Sequence, residues 1–155
     1  MLKIRNVKLF IDSWQLLWLR IRGAKLGKNV LAYGRFNWEG YPRLLKIGDN
    51  VTINEGVFIN CRAGIFIGNN CHLSPGCQLQ TGYLEFDTEV KKKIHKSNNI
   101  SIGKSCWIAS NAIVLGGIKM AENSILAAGG VLNSNTNPGE MWAGVPARLK
   151  KIQNG

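Results

Sequence analysis

Carboxylates, histidines and long apolar runs are all scarce in this chain of 155 residues. Nine Asp and Glu stand against twenty Lys and Arg, a net charge of +11. No apolar run approaches the roughly 18–20 residues that a bilayer-crossing helix needs. The N-terminus also lacks the charged start, apolar stretch and small-residue cleavage site of an export signal, so a cytoplasmic protein is expected. Only two histidines occur, His72 and His95, and the cysteines Cys61, Cys71, Cys77 and Cys106 include no C-x-x-C pair. These absences argue against a zinc site, and no metal is expected. Reduced thiols in a cytosolic core are the plainer reading of the cysteines.

What is present fits one globular domain with a core of its own: 45% hydrophobic residues and 19% charged. The positive charge is clustered. Lys3, Arg5, Lys8, Arg20, Arg22, Lys25 and Lys28 face only Asp12 in the first thirty residues. Lys91, Lys92, Lys93 and Lys96 form a second cluster, and Arg148, Lys150 and Lys151 a third. Separate clusters suit separate anionic contacts, such as a membrane face and the phosphates of a cofactor. No nucleic-acid-binding motif accompanies them, and no nucleic-acid partner is expected.

From Ile47 an aliphatic side chain returns every sixth position. The series is Ile47, Ile53, Ile59; Ile67, Leu73, Leu79; Ile102, Ile108, Val114; and Met120, Leu126, Leu132. Four positions after each of ten of these stands a small or medium residue, among them Val51, Val57, Cys71, Cys77, Cys106, Ala112, Ser124 and Gly130. Gly48, Gly68 and Gly103 follow the first aliphatic of their triplets. A short strand, a tight turn and two inward residues per hexad give a three-sided coil of eighteen residues. The two extra residues between Ile47 and Ile67 predict a small corner bulge near Gly64. A poorer first coil begins at Leu26-Gly27-Lys28-Asn29-Val30, whereas Tyr33–Pro42 is too aromatic to assign.

Two segments depart from the repeat. Over residues 6–22, Val7, Phe10, Ile11, Trp14, Leu17, Trp18 and Ile21 mark one face of a helix, with Asn6 placed to cap it and Gly23 to end it. That face would cover the open first coil, or, with Arg20 and Arg22, touch an anionic membrane. Residues 81–99 contain no hexads and must leave the stack as a loop, which in a compact repeat points to function. The expected organisation is an N-terminal amphipathic helix (1–24), a coil domain (25–145) with its inserted loop (81–99), and a basic tail (146–155).

Three segments then carry a resemblance. Ile102–Ala109 resembles the IGxxxWIG motif of the hexapeptide-repeat acyltransferases, Leu126–Leu132 their IGAGSVV segment, and Ala143–Arg148 their AGxPAR ending. The similarity covers about residues 24–152 and, with the opening GAKLGKNV, is greatest to O-acetyltransferases of colanic acid and other surface polysaccharides. Galactoside and maltose acetyltransferases are more distant. The resemblance implies an all-β, left-handed parallel β-helix of triangular coils, assembled as a homotrimer. It implies acetyl transfer from acetyl-coenzyme A to a hydroxyl of a sugar or of a polysaccharide or glycolipid precursor. By position, Trp107, Ala109 and Ser110 would line the thioester end, Ala128 and Asn133 the pantetheine arm, and Arg148 with Lys151 the phosphates.

The family's general base is a histidine just after a Thr-Gly that closes the coil before the loop. Here Thr81-Gly82 is followed by Tyr83, Leu84 and Glu85. His95, in the same loop, is the first substitute, with Glu85, Asp87 or Glu89 to orient it; His72 and Tyr83 are alternatives. Without a base, the chain would be a catalytically silent trimer that binds coenzyme A or serves assembly. A three-histidine β-helix carbonic anhydrase is excluded by the histidine count, and an ice-binding helix by the rarity of threonine.

Overall fold

The structure is a computed structural model that describes residues 14–86 and 93–152. Helix α1 spans residues 14–21. Five coils follow. The first holds β1 (Lys25–Leu26), β2 (Leu31–Tyr33) and β3 (Asn37–Gly40); the second, after a 3-10 turn at Pro42–Leu44, holds β4 (Leu45–Ile47), β5 (Thr52–Asn54) and β6 (Phe58–Cys61). The third holds β7 (Ile65–Ile67), β8 (His72–Leu73) and β9 (Gln78–Gln80). A hairpin of β10 (Gly82–Phe86) and β11 (Lys93–Ser97) then leaves the stack. The fourth coil holds β12 (Ile100–Ile102), β13 (Trp107–Ile108) and β14 (Ile113–Leu115), and the fifth β15 (Lys119–Met120), β16 (Ile125–Leu126) and β17 (Val131–Leu132). Strands β18 (Glu140–Ala143) and β19 (Arg148–Ile152) close the far end.

Corresponding strands of successive coils pair in parallel, giving three sheets around one core. The twelve aliphatics line up as the hexads require. Ile47, Ile67, Ile102 and Met120 are register partners on the first side; Ile53, Leu73, Ile108 and Leu126 on the second; Ile59, Leu79, Val114 and Leu132 on the third. All twelve are buried.

The corners explain the other hexad positions. Asn29, Asn50, Asn70, Ser105 and Asn123 take positive φ at one corner, a conformation that Asn tolerates because its short side chain hydrogen-bonds locally. Asn29 donates to Asn50 (3.1 Å) and Asn50 to Asn70 (3.2 Å), a ladder up that edge. Gly68 has no room for a side chain: a Cβ there would lie 2.6 Å from the Lys104 nitrogen in the next coil. At the following corner the inward slot is filled by Phe36, Val57, Cys77, Ala112 and Gly130 in turn, all buried. Ala32 and Trp38 hold the positions that Ile53 and Ile59 hold in the next coil, which is why the first coil does not scan as an aliphatic hexad. All four cysteines are free and buried, and burial pushes the Cys77 thiol up to about 12.

The ends differ from expectation. Gly23, with φ +94°, ends α1, its N–H donating to Arg20 while Ala24 reaches Leu19. Yet the apolar stripe of the helix does not cover the first coil. Leu19 is fully buried and Leu16 packs on the core, while the Gln15 amide donates to the Phe36 carbonyl (2.7 Å) and accepts from its N–H (3.3 Å). Gln15 thus satisfies a strand edge that no further coil covers. Trp14, Leu17, Trp18 and Ile21 are exposed. Asn6, Val7, Phe10 and Ile11 lie outside the described residues. Read as a tail, Arg148–Ile152 instead forms β19, antiparallel to β18.

Candidate functional site

Side chains that alternate outward from the second sheet form two columns parallel to the coil axis. Register places His72, Trp107, Ile125 and Met141 in one, and Lys151 of β19 pairs beside Met141. The neighbouring column runs Ser74, Ala109, Ala127, Ala143, and Arg148 pairs beside Ala143. Each coil adds about 4.8 Å, so this line of small side chains runs roughly 19 Å from Ser74 to Arg148. It forms a trough walled by Trp107, whose half-exposed indole donates to the Ser74 hydroxyl (2.8 Å). Ser110 and Ala128 stand at the adjoining corner, where the Gly129 N–H donates to the Ser110 carbonyl (2.9 Å). Asn133 lies elsewhere: it follows β17 at the far end of the third side.

The far end of the trough is held by a buried carboxylate. Glu140 accepts from the Asn137 N–H (2.8 Å), the Asn137 amide (2.9 Å) and the Trp142 indole (2.9 Å). The Asn137 donors, followed by Trp142, hold its carboxyl below the usual carboxylate range. These bonds brace the start of β18, which pairs with β16 on one side and with β19, carrying Arg148 and Lys151, on the other.

Of the sequence candidates for the base, His72 stands beside Trp107 on this face. The Asn54 amide donates to its Nε2 (3.4 Å), which leaves Nδ1–H to bond Thr52. Both ring nitrogens are engaged. His95 occupies the hairpin, where the antiparallel register sets it directly opposite Leu84, Tyr83 opposite Lys96, and Glu85 opposite Ile94. His95 and Leu84 thus share one face of the hairpin, and Tyr83 and Lys96 the other. Tyr83, and not Leu84, directly follows the Thr81-Gly82 pair. Thr81 anchors the hairpin: its buried hydroxyl donates to the Asn60 carbonyl (2.7 Å) and accepts from the Ala63 N–H (3.2 Å).

His95 and Tyr83 line a cleft of about 680 Å³ between the hairpin and the corner of the first two coils. Glu39, Tyr41, Asn60 and Arg62 form its other wall, with Glu39 and Arg62 ion-paired. None of these four was expected from the sequence; they lie in or beside the unassigned first coil, and no hexad position marks them. Glu85 pairs with Lys96 and not with His95. Asp87 and Glu89, the other carboxylates considered for orienting His95, lie outside the described residues. The hairpin cleft and the Trp107 trough occupy different sides of the prism, and one protomer does not bring them together.

No family model matches the chain. It is 32% identical to a putative acetyltransferase of Schizosaccharomyces pombe over 121 residues, covering 73% of this chain and 58% of that protein. It is 27% identical to the galactoside O-acetyltransferase of Escherichia coli over 133 residues, 81% of this chain and 62% of that one. To the putative colanic acid biosynthesis acetyltransferase WcaF of Escherichia coli it is 29% identical over 115 residues, 74% and 62% of the two chains. It thus spans about three fifths of the length of these relatives. Among solved structures, a maltose O-acetyltransferase from Clostridium difficile superposes with a TM-score of 0.82 at 25% identity, covering 88% of this chain and 73% of that one. A hexapeptide-repeat acetyltransferase from Vibrio cholerae shares the fold, with a TM-score of 0.84 at 24% identity over 93% and 82%. The galactoside acetyltransferase solved with coenzyme A gives 0.75 at 25% identity over 84% and 65%. The resemblance seen in the sequence is borne out.

Proposed function

We propose that this chain, a relative of the hexapeptide-repeat acetyltransferases, moves an acetyl group from acetyl-coenzyme A to a hydroxyl of a sugar or of a polysaccharide or glycolipid precursor. The observation that carries this reading is the trough of small side chains beside Trp107 that ends at Arg148 and Lys151. An extended, flexible pantetheine arm fits a trough without large side chains, and two cations at its far end suit phosphates. Trp107, Ala109 and Ser110 would then flank the thioester, and Ala128 the arm. Asn133, a side's width away, would touch the donor only from a neighbouring copy's groove. Acetyl-coenzyme A supplies an activated acyl thioester when bound.

His95 takes the proton of the acceptor hydroxyl as its oxygen attacks the carbonyl, and returns that proton to the departing thiolate. The backbone N–H of Ser110 is offered to the oxygen that gains charge. The cleft against Tyr41, Tyr83 and Asn60 receives the acceptor. Since trough and cleft lie on different sides of a prism, the centre is completed by a second copy. We place the chain in a cytoplasmic homotrimer with left-handed coils, the arrangement implied by the family.

Titration calorimetry with coenzyme A tests the reading. Binding is expected, and it should weaken by about tenfold or more in Arg148→Ala with Lys151→Ala, as loss of charged phosphate contacts implies. No measurable binding to the wild-type chain would overturn it. The tyrosine in place of a histidine after Thr81-Gly82 favours one other reading, a silent coenzyme A-binding trimer, which predicts the same calorimetry but no acetyl transfer to any sugar acceptor.

A further inference from the structure

We propose that the outer face of α1 is a docking surface for an anionic phospholipid bilayer. Trp14, Leu17, Trp18 and Ile21 recur at spacings of three and four and form one stripe of the helix. They are 53%, 46%, 40% and 64% exposed. The opposite face closes the first coil through Gln15, Leu16 and Leu19, which leaves the stripe open to a partner. No helix among the described residues is long and apolar enough to cross a membrane; the contact is interfacial.

Charge selects the partner. Residues 14–28 contain Arg20, Arg22, Lys25 and Lys28 and no carboxylate. Gly23 packs on Arg43, and Lys25 is the register partner of Lys46, which extends the positive ring onto the second coil. Arg22 lies 5.6 Å from the centre of the Trp18 ring. A second copy of this face would set like charges against one another, whereas a bilayer rich in phosphate headgroups neutralises them. Indoles prefer the boundary between headgroups and acyl chains, leucine and isoleucine the apolar layer below, and arginine the phosphates above. Because α1 lies over the open end of the first coil, docking would leave the sides of the prism, with the trough and the hairpin cleft, facing the aqueous phase. The inference does not depend on acetyl transfer.

Flotation of the full chain with vesicles tests it, using equal parts phosphatidylcholine and phosphatidylglycerol against phosphatidylcholine alone. Binding is expected to the anionic vesicles and to fall at least tenfold on the neutral ones. Leu17→Asp with Ile21→Asp should abolish it, and Arg20→Glu with Arg22→Glu should reduce it about tenfold or more, at unchanged circular dichroism and coenzyme A affinity. Indifference to phosphatidylglycerol, or full binding by the aspartate variant, would overturn the proposal. So would a wild-type chain that ignores both vesicles while the aspartate variant changes oligomeric mass, since a second copy would then cover the stripe.

Discussion

The pairing of Leu84 with His95 allows the proposed base to be moved. His95→Leu removes the imidazole from the cleft and should lower acetyl transfer by about 10²- to 10⁴-fold, the usual loss for a general base, or roughly 3–5 kcal/mol of barrier. The register makes Leu84→His with His95→Leu the informative partner. Directly opposed residues on antiparallel strands have Cβ atoms about 4.5–5.5 Å apart and point to the same face. An imidazole extends further from its Cβ than half that gap, so a ring on either strand can occupy the volume between them. The swap exchanges the two side chains and leaves the composition of the hairpin unchanged. It should recover at least tenfold over His95→Leu. Ile94→His with His95→Leu is the control: neighbouring residues on a strand point to opposite faces, and no recovery is expected. Single-turnover transfer to a panel of sugar acceptors, at saturating acetyl-coenzyme A, reads the chemistry apart from donor binding. A swap no faster than His95→Leu, or a control that recovers equally, would refute the claim that the β11 imidazole serves from the face it shares with Leu84.

Two further outcomes concern the frame that holds the site. Gly68→Ala would put a Cβ 2.6 Å from the Lys104 nitrogen and 2.7 Å from the Gly103 carbonyl carbon, a backbone clash between coils; Gly129→Ala meets nothing within 4 Å and bears only its φ of +66°. Thermal unfolding should therefore show Gly68→Ala losing more than the roughly 1 kcal/mol expected of Gly129→Ala. Glu140→Gln is read by pH: the folded carboxyl is held low by Asn137 and Trp142, so its stabilisation is present above the unfolded carboxylate value and disappears as pH falls through the folded one. The wild-type advantage in Tm over Glu140→Gln should be full near neutral pH and shrink below about pH 4; an advantage that grows on acidification would contradict the assignment.

How much of this was visible beforehand follows from which interactions are local. Ile53, Leu73, Ile108 and Leu126 could be placed in one column because each side of a coil repeats the same geometry, so period alone fixes which residue turns inward. The α1 stripe was equally visible, but periodicity marks an apolar face without saying what it meets. Gln15 and Leu19, outside that stripe, took the capping role through a hydrogen-bonded strand edge and a buried contact. β19 was hidden for a related reason: all five of its residues are exposed, and its place depends on an edge at β18, far from any hexad. The cleft wall at Glu39, Tyr41 and Arg62 holds none of the inward aliphatic positions, so nothing periodic points to it.

The same geometry changes how function is written in such a chain. On a helix or a catalytic loop, residues that act together stand a few positions apart, and a motif is a string. On a coil, residues that act together lie a whole turn apart: Ser74, Ala109, Ala127 and Ala143 form one surface although 69 positions separate the first from the last. A search for histidine directly after Thr81-Gly82 finds Tyr83 and reports a missing base. Reading across the hairpin finds His95 one position further on, opposite Leu84, since pairing and not sequence order decides which side chains share a face. One side of the prism carries the trough and another corner His95, so the proposed mechanism draws the two from different copies. On that mechanism assembly is a chemical requirement of the site, and dissociated protomers should retain the fold while losing transfer.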